Sequence, residues 1–282
     1  MSAPDVRERL RAARGFVFDL DGTLALSDRH SHGYVALPGS VELLALLRER
    51  AVPFVILTNG TVHTPAEYAR MLAGAGMTID ERDMLTPAVV AARVLLANGH
   101  RRVLVLGGDG VAGPLRDAGL TVVRPRDAQR SADAVFVGWH ADFIFPDLEA
   151  ACAAVWSGAT VYSASDAPFF ATRAGRTIGI SRAICASIYS VTGKRSRVVG
   201  KPSANALRVC AARLGQPGSR IAVVGDDPVL EMRMARAGGA LAIGICTGLT
   251  DEAGFATQPP GRRAHATFPS VRELLAAMRE AA

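Results

Sequence analysis

Alternation is the feature that most constrains this chain. The short apolar runs GFVFDL (15–20), VPFVIL (52–57), RVLVLG (102–107), ADAVFVG (132–138), ATVYSA (159–164), RIAVVG (220–225) and ALAIGI (240–245) read as strands. Longer segments of helical period lie between them. That order predicts βαβ units around mostly parallel sheets. In one intervening segment Leu207, Cys210, Ala211 and Leu214 fall at i, i+3, i+4 and i+7, a single apolar stripe, with Ser203 placed to cap its start and Gly215 its end. A last short strand and helix follow the surface loop from Gln258 to Arg263.

At 282 residues the chain exceeds the ~100–200 residues of one ordinary domain, so we expect two packed units, one core being split by an insert. The turn-rich stretches GAGMTIDERD (74–83) and TGKRSR (192–197) are the compositional places for a crossing. A composition of 49% hydrophobic and 21% charged residues excludes the disordered and fibrous classes.

Lys and Arg number 32 against 26 Asp and Glu, a formal charge of +6, which suits an anionic partner. The basic residues are scattered, as at Arg7, Arg9, Arg11 and Arg14, with no nucleic-acid-binding motif and no interleaved aromatics. They read as a solvated surface, and no nucleic-acid partner is expected. Cysteines 152, 185, 210 and 246 form neither a CxxC pair nor a dense framework, which fits a reducing compartment. The charged N-terminus has no signal-peptide core, and no stretch reaches the ~18 apolar residues of a membrane span. The expectation is a soluble cytoplasmic protein without a membrane partner.

The strongest chemical signal is FDLDGTL at 18–24, an apolar strand running into two carboxylates and then Gly22 and Thr23. Side chains at i and i+2 of an extended chain share a side, so Asp19 and Asp21 can face one site at the strand's carboxyl end, where open α/β sheets bind ligands. Two close carboxylates repel unless a cation or a proton intervenes, which suits them to a hard Mg²⁺ ion and to acid–base work.

From FDLDGTL onward the chain resembles the haloacid dehalogenase superfamily, whose phosphatases begin with DxDGT after a strand. ILTNG at 56–60, GKP at 200–202 and VVGDDPVLE at 223–231 are similar to the second, third and fourth motifs, in order. LPG at 37–39, GWHADF at 138–143 and SASDAPFF at 163–170 extend the likeness over nearly the whole chain. The gap between Thr58 and Lys201 resembles the subfamily with a large α/β cap between the second and third motifs, that of p-nitrophenylphosphatase and phosphoglycolate phosphatase relatives. The resemblance implies a doubly wound parallel-sheet core over 1–80 and 196–282, an inserted α/β cap over 81–195, and hydrolysis of a small phosphorylated metabolite. Caps of this subfamily often take part in dimers, which leaves a homodimer open.

By the same resemblance Asp19 is the nucleophile and Asp21 the general acid and base. Mg²⁺ is held by Asp19, the backbone carbonyl of Asp21 and Asp226, with Asp227 or Glu231 in support. Thr58 and Lys201, with backbone N–H groups near Leu20, Asp21 and Asn59, bind the phosphate oxygens. Thr58 could instead cap the helix beginning near Pro65, and Lys201 could be a solvated loop lysine. Two departures stand out: Gly60 where relatives often have Asn, and Glu231 where Asp is commoner.

A competing signal follows RVLVLG. Gly108, Gly110 and Gly113 form a GxGxxG at a strand-to-helix turn, with Asp127 downstream, the pattern of a dinucleotide-binding oxidoreductase. A cap built from βα units would contain such a turn for packing alone. His30 and His32 form an HxH in a segment where relatives carry a flap, and His63 and His140 have no partner at metal-ligand spacing. At most one of these histidines is expected to contact substrate.

Overall fold

A computed structural model describes residues 3–27, 33–172 and 175–280. In chain order its strands are β1 (Gly15–Phe18), β2 (Ala25–Ser27), β3 (Tyr34–Ala36), β4 (Phe54–Leu57), β5 (Met84–Leu85), β6 (Arg102–Leu106), β7 (Thr121–Val123) and β8 (Ala134–Val137). They continue as β9 (Thr160–Ser163), β10 (Phe169–Thr172), β11 (Gly175–Ile178), β12 (Arg197–Val198), β13 (Ile221–Gly225), β14 (Leu241–Ile245) and β15 (Ala266–Phe268). Each run read as a strand from its sequence is one, shortened by a residue or two at its ends. The chain divides into two compact units, one of residues 1–58, 68–85 and 207–282, the other of residues 59–67 and 86–206.

The first unit is built on a parallel sheet of order β15-β14-β13-β1-β4-β5. β1, β13 and β14 are buried along their whole length, as strands covered on both faces must be, and this is why they read as unbroken apolar runs. Helix Ser40–Glu49 buries Leu43, Leu44 and Leu47. Helix Val271–Glu280 buries Val271, Leu274, Leu275 and Met278, the i, i+3, i+4, i+7 stripe of an amphipathic helix. Both stripes join one core with Phe16, Phe18, Ile56, Val224 and Ile243. The chain leaves β1 towards β4 and β5 on one side and later returns to β13 on the other. The doubly wound order therefore reverses between β1 and β13, the switch point at which such sheets open a crevice.

The second unit has its own parallel sheet, β12-β9-β8-β6-β7, and a separate antiparallel hairpin, β10–β11. Its core includes Leu104, Val135, Val137 and Val161 from the sheet with Ala151, Val155, Ile184 and Ile188 from helices Phe145–Trp156 and Ile180–Thr192. Helix Ala204–Leu214 begins as its sequence predicts: Ser203 Oγ accepts from the Ala206 amide at 3.2 Å, and Gly215 follows at φ +64°. All four cysteines are free thiols. Among the described residues no helix is long and apolar enough to cross a membrane.

Candidate active site

In the first unit, parallel pairing sets Phe18 opposite Val224 on one side and Ile56 on the other. The Asp19 amide extends the ladder by one bond, donating to the Val224 carbonyl at 2.9 Å. Asp19 is thus the first residue past the strand's carboxyl end, and only 6% of it is exposed. The chain then turns sharply, because the Leu20 carbonyl accepts from the amides of Leu24 and Ala25 at 3.0 Å and of Thr23 at 3.3 Å. Gly22 sits in this turn at φ +87°, a conformation that costs a side chain strain. Thr23, fully buried, directs its hydroxyl back to Asp19 Oδ2 at 3.2 Å. Asp21 is exposed, so the two carboxylates of the motif differ sharply in their access to water.

Asp226 holds the matching place after β13 and is 4% exposed. Its Oδ2 accepts from the Leu249 amide at 2.8 Å. A Cβ on Gly22 would stand 2.6 Å from that same oxygen, and one on Gly248 would overlap it. Thr247 Oγ1 closes the arrangement by donating to the Gly22 carbonyl at 2.7 Å. The Asp226 carboxylate therefore lies between the glycine of the DxDG turn and the loop that follows β14. Beyond it, Asp227 Oδ1 accepts from the Val229 amide at 2.7 Å and its own amide donates to Glu231 Oε2 at 3.0 Å. Glu231 is buried, and the lack of a side chain on Gly225 admits it: a Cβ there would come within 2.7 Å of Glu231 Cβ. The turn Pro228–Met232 is a π-helical one, and the longer Glu side chain reaches back across it to the Asp227 amide.

Thr58 follows β4, is 2% exposed, and donates its amide to Leu85 at 3.2 Å. It does not cap the helix that starts at Pro65. Thr64 does, its hydroxyl accepting from the Glu67 amide at 3.3 Å while Glu67 Oε2 takes the Thr64 amide at 2.7 Å.

In the second unit, Lys201 is 2% exposed, which removes the solvated-lysine reading. Its amide donates to Asn59 Oδ1 at 2.8 Å, and Asn59 Nδ2 donates to its carbonyl at 3.1 Å. The glycine turn after β6 serves packing. A Cβ on Gly110 would lie 2.6 Å from the Thr61 carbonyl oxygen and 2.7 Å from the His63 amide nitrogen. The space a dinucleotide pyrophosphate would need beside that glycine is filled by the chain's own backbone. A Cβ on Gly113 would make only ordinary contact, and one on Gly108 would meet nothing. His140 Nε2 lies 3.1 Å from Asp147 Oδ2, an oxygen that also accepts the Ile144 amide at the start of helix Phe145–Trp156, so this histidine braces a helix terminus. His63 Nδ1 stands 4.0 Å from Glu67 Oε2. His30 and His32 lie outside the described residues.

Sequence models of the haloacid dehalogenase-like hydrolases match residues 16–121 and 79–239. The chain belongs to this family. It is an enzyme, a phosphoric monoester hydrolase of the haloacid dehalogenase-like type, and the dinucleotide-dependent reading is set aside. Rat chronophin is 28% identical over 229 residues, covering 78% of this chain and 72% of its own. The ribonucleotide monophosphatase NagD of Escherichia coli K12 is 24% identical over 261 residues, covering 93% and 98%. A solved structure of a glycerol phosphate phosphatase from Mycobacterium tuberculosis in complex with magnesium is 27% identical and superposes at a TM-score of 0.82 over 94% of this chain and 77% of that one.

Within this hydrolase the sequence reading passed over Thr23 as a partner of Asp19, and Thr247, Gly248 and Leu249 as partners of Gly22 and Asp226. A signal for the latter was present, since CTGLT directly follows the apolar run ALAIGI and so must lie at a strand's carboxyl end.

Proposed function

We propose that the chain is a magnesium-dependent phosphatase of small phosphorylated metabolites, working through an aspartyl-phosphate on Asp19. The observation that carries this reading is the placement of two buried carboxylates, Asp19 and Asp226, at the ends of the neighbouring strands β1 and β13.

The donor set fits a hard cation. No group of three or more His, Cys, Asp or Glu side chains is gathered as ion ligands among the described residues. A ligand set of two carboxylates, from Asp19 and Asp226, and one carbonyl, from Asp21, needs no third such side chain. It is all oxygen, as Mg²⁺ prefers, and leaves positions for water and phosphate. The side-chain-free Gly22 and Gly248 keep Asp226 Oδ2 uncrowded. Magnesium bound there supplies the positive charge that lets carboxylates and a phosphate dianion share one place.

In the first half-reaction the Asp19 carboxylate attacks phosphorus, the bond from phosphorus to the ester oxygen breaks, and Asp21 gives its proton to that oxygen. In the second, Asp21 takes a proton from water, the water oxygen attacks phosphorus, and the bond to Asp19 breaks to release inorganic phosphate. Burial of Asp19 strips solvent from the nucleophile, and the Thr23 hydroxyl fixes its carboxylate. Exposure of Asp21 allows it to exchange protons with water. Thr58, backbone N–H groups near Leu20, Asp21 and Asn59, and the ammonium of Lys201 are the groups assigned to the non-bridging oxygens. Asp227 and Glu231 hold the turn that carries Asp226. The second unit is the part we assign to choosing the substrate, as a cap does.

The test is direct. The protein should hydrolyse p-nitrophenyl phosphate with Mg²⁺, and borohydride treatment of acid-quenched enzyme should yield homoserine at position 19. Asp19→Asn should show neither. Wild-type turnover by Asp19→Asn, or hydrolysis with no trapped intermediate, would overturn the assignment.

A further inference from the structure

We propose that Asn59 acts as a positioning residue for Lys201, holding the lysine's backbone so that its ammonium leaves the loop in one fixed direction. The proposal rests on the reading of Lys201 as the phosphate-binding cation and adds to it what sets that cation in place. Asn59 and Lys201 belong to the same unit.

Three observations carry it. The first is the pairing itself. Asn59 accepts from the Lys201 amide at 2.8 Å and donates to the Lys201 carbonyl at 3.1 Å, so one side chain satisfies both backbone groups of one residue across 142 positions of sequence. A carboxylate of the same shape could only accept, and a hydroxyl is too short to span the two groups. The second is steric. Gly200 precedes the lysine, and a Cβ there would stand 2.6 Å from Asn59 Oδ1 and overlap the Ala164 carbonyl oxygen. The glycine of GKP is thus what lets the amide dock. The third is the platform on which Asn59 stands. Its segment is fixed by the Thr61 hydroxyl, which accepts the Trp139 amide at 2.8 Å, and by the approach of the Thr61–His63 backbone to Gly110.

Two further bonds close the loop after Val199: Ser203 Oγ donates to the Val199 carbonyl at 2.6 Å and Ser203 N to the Gly200 carbonyl at 2.9 Å. Both are made by Ser203, and neither uses the Lys201 amide or carbonyl. Both partners are buried, Asn59 at 9% and Lys201 at 2% exposed, so loss of the amide would leave a buried N–H and C=O with no replacement from solvent. The loop would shift to satisfy them and carry the ammonium with it. A displacement near 1 Å in a phosphate-binding group costs on the order of a hundredfold in rate.

The experiment is a double-mutant cycle between Asn59→Asp and Lys201→Met, read by the inhibition constant of inorganic phosphate and by kcat/KM for p-nitrophenyl phosphate. Asn59→Asp is nearly isosteric and keeps the acceptor while losing the donor; Gly200→Ala pushes the amide away from the opposite side. Each should weaken phosphate binding and lower kcat/KM by roughly tenfold to a hundredfold. Neither should add to the loss once Lys201 is already Met. Circular dichroism and melting curves select the folded variants, and either of the two suffices. Losses that multiply independently of Lys201, or a folded Asn59→Asp with wild-type phosphate affinity, would overturn the positioning role. Wild-type phosphate affinity in Lys201→Met would instead sink the cation assignment itself, and the inference with it.

Discussion

Thr23 Oγ1 donates to Asp19 Oδ2 at 3.2 Å, from a side chain with no exposed surface to one nearly as buried. The bond crosses the turn built on the Leu20 carbonyl, so the same fold that reverses the chain also restrains the rotation of the Asp19 carboxylate.

Replacing Thr23 by Val keeps the shape and removes the hydroxyl. A hydrogen bond to a charged group contributes about 1.5–3 kcal/mol. If that is lost in the transition state, kcat should fall about tenfold to a hundredfold. Steady-state kinetics on p-nitrophenyl phosphate decide the matter, and an unchanged kcat would show the bond to be dispensable.

Gly22→Ala forces a side chain into a left-handed conformation, at a cost of about 1–2 kcal/mol, and drives its Cβ against Asp226 Oδ2. The magnesium concentration for half-maximal activity should rise more than KM for the substrate does, and the melting temperature should drop by a few degrees. Exhaustive chelation should stop the parent enzyme, with activity restored by Mg²⁺ and poorly by the larger Ca²⁺. Activity that survives chelation would remove the metal from the account.

Asp21→Asn should slow alkyl phosphates far more than p-nitrophenyl phosphate, whose leaving group needs no proton. Hydrolysis of the acyl-phosphate should slow for both, so the trapped intermediate should accumulate with the aryl ester. Equal losses across the two substrates without accumulation would argue against the acid–base role.

Burial pushes the thiols of Cys152, Cys185 and Cys246 above the ordinary cysteine range, and the nearby carboxylates Glu252 and Asp251 push Cys246 further. A raised thiol pKa means less thiolate at neutral pH and therefore slow alkylation, since the thiolate is the nucleophile. Cys246 is the informative case because it is only half buried. Its iodoacetamide rate at pH 7, followed by peptide mass spectrometry, should be well below that of an unstructured cysteine peptide and should climb through the alkaline range. A rate equal to the peptide's at pH 7 would contradict the environment described.

Much of this architecture is legible in the residues. Phe16 to Phe18 and Ile221 to Val224 are buried on both faces of a sheet, and such runs must be apolar throughout, so they announce themselves. β2, β3, β5 and β12 do not. At two or three residues each they exist because a partner is already in place, and Met84–Leu85 has no signal apart from β4 beside it. The ordered motifs nominate Asp19, Thr58, Lys201 and Asp226, yet nothing local says that a Thr four residues later holds Asp19, or that the Asn59 side chain bonds a backbone 142 residues away. The limits of the compact units are equally silent. Two of them, after Glu67 and after Ala206, fall inside the helices Pro65–Gly74 and Ala204–Leu214, where composition changes in no way.

The close seating of Thr61 and His63 on Gly110 has a consequence for exchange of parts between relatives. A recombination that swapped only residues 86–206 would bring in a foreign turn at Gly110 and a foreign amide at Trp139 while keeping the resident 59–67 segment shaped for the old ones. Gly110 tolerates no side chain there, and the Thr61 hydroxyl keeps its donor only where the new backbone sets an amide in the same place. The transplantable piece is therefore discontinuous: a chimera that takes a new second unit must take residues 59–67 from the same donor.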